Sequence, residues 1–237
     1  MIQKWITLCL IFLTMSACRF SQFNPFINID EYPAPEISAD NSWFEEHGCF
    51  ESTSCLPEDL LKPNYQINNI LPVPDILGGF TPKFPLALLQ NISFYGDPEV
   101  PAVYTEGCMA TFGVRYLAVE QDQIVLVDSV EDLQRLAAPI ESEDEALSYA
   151  VAATGLTPLY DLESHPEYIR YAKPLAESHV VFDGEKYLVT LFDTFLCGCG
   201  PHIVESVEVA IQPDGSLQLG EKVNAFSDPE TEGLCID

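Results

Sequence analysis

The residues best able to do chemistry stand in one turn, Cys197-Gly198-Cys199-Gly200-Pro201-His202. Two sulfurs at i and i+2, an imidazole three residues on, and glycines that let the backbone fold tightly can aim three soft donors at one point. With His179 or Cys235 added, such a set can hold Zn²⁺ or Cu(I), the ions that favour thiolate and imidazole. The same sulfurs can instead be halves of disulfides, or one of them a reactive thiol. Asp193 is the second candidate. It interrupts a run from Leu188 to Leu196 that otherwise suits burial on both faces, and a buried carboxylate needs hydrogen bonds or a partner charge. It can orient His202 or His179, with Cys199 completing a nucleophile, base and orienter set. It can equally bond backbone N–H groups in the turn that follows. The chain contains no phosphate loop, no G-x-G-x-x-G, no G-x-S-x-G, no H-E-x-x-H, no EF-hand spacing and no C-x-x-C. His47, beside Glu45, Glu46 and Glu51, reads as part of a solvated acidic face.

Charge and the N-terminus say where such residues operate. The 237 residues include 10 Lys+Arg against 37 Asp+Glu, a net charge of -27. A phosphate backbone is repelled by such a surface, so nucleic-acid binding is excluded as a function class, and so is direct docking on anionic headgroups. A hydrophobic content of 47% still provides for a folded core. Residues 1–17 carry one charge, Lys4, then an apolar run from Trp5 to Leu13 that is too short to span a bilayer, then Ser16 and Ala17. That is the pattern of a secretory signal peptide. Without Lys4, nine bases face the 37 acids, a charge of -28.

Met15-Ser16-Ala17-Cys18 resembles the lipobox of bacterial lipoproteins, with Met15 standing where the family usually has Leu. The resemblance covers residues 1–18 only. It implies cleavage before Cys18, acylation of that residue, and anchoring without a transmembrane helix. The family's sorting rule, applied to Arg19, implies the outer membrane in a diderm source. The expected location is therefore the bacterial cell envelope, with the membrane a partner through the lipid anchor.

Leaving out Cys9 and Cys18, six cysteines remain: Cys49, Cys55, Cys108, Cys197, Cys199 and Cys235. An even number in an exported chain reads as disulfides. Cys49 and Cys55 suit a local loop. Cys108 and Cys235 are left to meet Cys197 and Cys199, in either combination, because cysteines at i and i+2 are badly placed to bond each other.

Residues 18–47 have no sustained period and are expected to form a tether. Residues 48–237 are expected to form a single α+β domain. Within it, 48–106 holds eight prolines and reads as an irregular segment wrapping the regular part, 107–237. Hairpins are expected near 110–128, 178–196 and 203–225, the last two on the turn signals Asp183-Gly184 and Pro213-Asp214-Gly215. Ser142 with Glu145 forms a capping box ahead of a helix at 143–154. Ala146, Tyr149, Ala150 and Ala153 give that helix an apolar stripe, and it is expected to cover an antiparallel sheet. The acids of its first turn suit the helix dipole and require no metal. Asn91-Ile92-Ser93 matches a glycosylation sequon, relevant only in a eukaryote.

One helix followed by an antiparallel meander over 141–225 resembles, in element order alone, the PepSY and cystatin-like domains. Those families act as protease propeptides, inhibitors or binding modules, so the resemblance implies a non-catalytic module that binds a protein, peptide or envelope component; no cofactor is expected. The alternative is a metal-binding or thiol-dependent protein centred on Cys197, Cys199 and His202, with His179 as a further ligand.

Overall fold

The computed structural model describes residues 28–67, 69–80, 83–94 and 100–236. The signal segment, Cys18 and the tether up to residue 27 lie outside the described residues.

Helices and antiparallel sheets together make the chain α+β. Sheet one contains β1 (Leu86–Phe94), β2 (Tyr104–Gly107), β3 (Ala110–Glu120) and β4 (Gln123–Val127). β3 is its spine. β1 runs the length of one side, from Leu86 opposite Ala118 to Phe94 opposite Ala110, while β2 and β4 share the other. Sheet two contains β5 (His179–Phe182), β6 (Tyr187–Asp193), β7 (Ile203–Ile211), β8 (Leu217–Leu219) and β9 (Val223–Ser227). β7 pairs with β6 on one side and with β8 and β9 on the other, and β5 pairs with β6. The turns have local causes. Gln121 and Asp122 both take positive φ between β3 and β4, as a tight hairpin requires. The Asp183 carboxylate accepts from the Glu185 and Lys186 amides at 2.9 Å between β5 and β6.

The helices are α1 (Ser42–Glu46), α2 (Val130–Ala137) and α3 (Glu143–Thr154). The Ser142 hydroxyl accepts from the Glu145 amide at 3.2 Å, and the Glu145 carboxylate accepts from the Glu141 amide at 2.6 Å. From Ala146 to Ala153 every residue of α3 but Val151 is buried. Besides the apolar stripe, Leu147, Ser148 and Ala152 are buried too. One core joins Ala146, Tyr149, Ala150 and Ala153 to Leu86, Val114 and Ala118 of sheet one and to Val189, Leu191, Val207 and Val209 of sheet two. On another face the turn at Asp75–Phe80 closes against the helix. The Ser148 hydroxyl donates to the Ile76 carbonyl at 2.7 Å and accepts from the Gly79 amide at 2.9 Å. The expected single stripe is therefore too narrow. Alanine and serine give little hydropathy signal, yet their small size is what admits neighbours on every side.

Two expectations about the N-terminal half are corrected. Residues 86–94, expected to be irregular, form a nine-residue strand. The prolines at 82, 85, 98 and 101 bracket it rather than enter it, and its apolar run reflects burial on both faces. Leu86 joins the core between the sheets, while Ala87 and Leu89 join a second core on the outer face of sheet one with Phe44, Leu56 and Leu60. In the described part of the expected tether, 28–47, most residues are exposed but two are anchored. Ile29–Asp30 pairs in parallel with Leu175–Ala176, Ile29 enters a third core with Phe192 and Phe226, and Phe44 of α1 is fully buried. The aromatic and aliphatic residues of this stretch outweigh its prolines. Asn91 of the sequon is 8% exposed, donates to the Gln66 carbonyl at 2.8 Å and accepts from Arg115.

Replacing Ser148 by alanine leaves a buried N–H and C=O without their partner. The expected loss is about 1–3 kcal/mol of stability, read as a lower melting temperature in calorimetry under non-reducing conditions.

Candidate functional site

Cys49 is bonded to Cys55, Cys108 to Cys197, and Cys199 to Cys235. The two sulfurs of the glycine-rich turn thus leave in different directions. Cys197 ties the end of sheet two to the β2–β3 turn, and Cys199 bonds its cross-strand neighbour in the short ribbon that Gly198–Cys199 forms with Cys235–Ile236. Neither is a thiolate ligand in this state. His202 is buried, its Nδ1 3.1 Å from the Thr231 carbonyl and its Nε2 3.1 Å from that of Gly198. His179 lies on β5, stacked on Tyr32 at 3.9 Å, with Nδ1 2.7 Å from the Glu177 carbonyl. The candidate set Cys197, Cys199, His202 and His179 is therefore not gathered around a point. Among the described residues no group of three or more His, Cys, Asp or Glu side chains is placed to hold a metal ion. Asp193 meets neither histidine. One carboxylate oxygen accepts from the Phe195 amide at 3.1 Å and the other pairs with Lys222.

Apart from the turn, residues of both sheets and the end of α3 line a cleft of about 390 Å³. All four residues of β2, Tyr104 to Gly107, line one wall. Thr154, Gly155 and Leu156, at the end of α3, line its base. Asp193, Phe195, Leu219 and Lys222 line the opposite wall. The Cys108–Cys197 disulfide joins the walls, since Cys108 follows Gly107 and Cys197 lies two residues beyond Phe195.

Gly155 makes the base possible. It ends α3 in the left-handed region at φ +72°, and its amide donates to the Val151 carbonyl at 2.9 Å. A Cβ there would strike the Tyr104 ring, so the glycine also lets that ring lie across the helix end. Burial, with a smaller contribution from the charge of Glu106, pushes the Tyr104 hydroxyl up to about 12. Behind it the Tyr116 hydroxyl donates to the Ala152 carbonyl at 3.0 Å, which links sheet one to α3.

The cleft's electrostatics are uneven. Lys222 is engaged by Asp193 and lies 4.0 Å from Glu205. Glu106 is half-buried beside Tyr104, and burial alone raises its carboxyl above the usual range. Neither an ion pair nor a hydrogen bond holds its carboxylate among the described residues. In a second hollow Glu31, Asp161, Glu163 and Glu177 are the charged lining residues, beside Tyr32, Pro33, Ala34 and Tyr160. There the buried Glu177 carboxylate is satisfied by the amides of Tyr32 at 3.1 Å and Leu162 at 2.6 Å.

Tyr104, Glu106 and Lys222 carry no spacing signal. The strand-prone run Val103-Tyr104-Thr105 beyond Pro101 is the available hint of a strand. No protein-family model matches the chain, and neither a curated protein nor a solved structure is significantly similar to it.

Two outcomes follow from this geometry. Glu106 binds its proton more tightly in the folded than in the unfolded chain, so stability falls as pH rises from the usual carboxylate value through the raised one. Glu106→Gln removes that loss. The melting temperature of the variant relative to the parent should be higher at pH 7.5 than at pH 4, as measured in matched scans. Gly155→Ala should destabilise by about 1–2 kcal/mol from its left-handed backbone alone, and by more as the Tyr104 ring is displaced, read as a lower denaturant midpoint.

Proposed function

We propose that the protein is an exported, lipid-anchored component of the bacterial cell envelope that acts by binding a protein or peptide, not by catalysis. The cleft between the sheets carries this reading. Its volume is that of a binding site, it mixes apolar walls with a few polar groups, and it lies at the junction of two rigid layers, where ligand sites concentrate. The anchor rests on Met15-Ser16-Ala17-Cys18 and on the signal segment before it. Three disulfides suit a compartment in which thiols are oxidised. The bonded state of Cys197 and Cys199 weighs against the metal or thiol alternative. The helix at 143–154 is read as the cover of the inner face of sheet two, in the element order of the PepSY and cystatin-like domains. The sharing of one core by Ala150, Val189 and Val207 supports this.

Two measurements test the proposal. In a bacterial host grown with labelled palmitate, the parent protein should take up label and Cys18→Ala should not. The intact mass of residues 19–237, made in an oxidising compartment, should be unchanged by alkylation under non-reducing conditions. Two or more alkylated thiols, or a stoichiometric metal lost on His202→Ala, would turn the reading to the alternative. An unlabelled parent would remove the anchor.

A further inference from the structure

The geometry points to an extended, basic peptide segment as the occupant of the cleft, lying along the open side of β2 with a lysine or arginine side chain on Glu106. This inference deepens the binding role proposed above and depends on it.

β2 supplies the backbone half of the site. Among the described strands it is hydrogen-bonded to β3 alone, so one row of its N–H and C=O groups has no strand partner. Side chains of a strand alternate between two faces. Consecutive residues from Tyr104 to Gly107 nevertheless all line the cleft, as they do when the wall is the strand's edge rather than one of its faces. An exposed edge is a template for a further strand, and main-chain hydrogen bonds to it supply affinity that does not depend on sequence.

The side chains around that edge supply the selectivity. Phe195 and Leu219, both about half exposed at 46% and 54%, offer apolar contacts on the opposite wall. Charge selects for a base. Lys222, the cleft's one cation among the described residues, is already engaged by Asp193. Glu106, on the same strand as Tyr104, has no ion pair or hydrogen bond to its carboxylate among the described residues, and its partial burial makes an uncompensated charge costly and an arriving cation correspondingly favourable. The whole-chain charge of -27 attracts a basic segment from a distance and repels an acidic one.

The test uses residues 19–237 with all three disulfides formed. A displayed library of random ten-residue peptides is selected on the immobilised protein, and recovered peptides are resynthesised and titrated by fluorescence anisotropy. The expected result is enrichment of lysine or arginine among alternating apolar residues. Affinity should fall with added salt and fall at least about tenfold in Glu106→Gln. The exposed, remote Glu58→Gln should bind like the parent. Hydrogen exchange should show new protection of amides within 104–107 on binding, a readout that a change in general stability would not confine to this strand. Neutral or acidic peptides that bind in the cleft, or basic ones that bind Glu106→Gln as tightly as the parent, would overturn the inference and leave the binding role standing. Basic peptides that bind without protecting β2 would overturn the strand addition. Recovery of no peptide would overturn both the inference and the binding role.

Discussion

The burial of α3 from Ala146 to Ala153, Val151 alone excepted, is the constraint on which the other elements depend. A helix that shares one core with two sheets, and is clipped by the Asp75–Phe80 turn on a further side, has almost no face left for polar residues. Its middle is accordingly alanine, with Ser148 placed where two backbone groups need it. Small side chains bring the sheets close, and the Tyr116 hydroxyl then reaches the Ala152 carbonyl. The helix stops at its glycine cap. Gly155 ends it there, and the space above that glycine takes the Tyr104 ring. The cleft is thus a direct consequence of how the helix is buried and where it ends.

The second constraint is a shortage of cations. With 37 acids and ten Lys+Arg, most carboxylates have no ion-pair partner. They stay in solvent or accept backbone N–H groups, as Asp183, Asp214 and Glu177 do. Bonds of that kind hold turns and caps without a countercharge. Glu106 has neither solution. It remains half-buried without an ion pair or hydrogen bond among the described residues.

The disulfides fit the same picture. Cys108–Cys197 spans a sequence separation of 89, and the loop-entropy model gives a cross-link of that span about 4–5 kcal/mol. It joins the two sheets beside the cleft, so the walls are fixed at one end. The glycines beside Cys199 serve a tight ribbon rather than a ligand cage, and His202 beneath it spans two backbone carbonyls. A motif that looks chemical in one dimension is here a fastening.

Local chemistry was legible in the residues themselves. The capping box at Ser142, the glycine end of α3 and the hairpin turns at Asp183-Gly184 and Pro213-Asp214-Gly215 rest on contacts a few residues apart, so they can be read in order. The alternation of Val207, Val209 and Ile211 along β7 shows equally well, since that strand has one buried face. Strand β1 stayed hidden because its prolines were read as interrupting the segment when they only flank it, and because burial on both faces erases alternation. The packing of 28–47 stayed hidden because its partners, Leu175 and the strands of sheet one, are distant in sequence. The cleft was beyond reach for the same reason. Tyr104 and Glu106 of β2, Gly155 at the end of α3 and Lys222 before β9 come from three separate parts of the chain, and only the core that α3 shares with the two sheets brings them to one place.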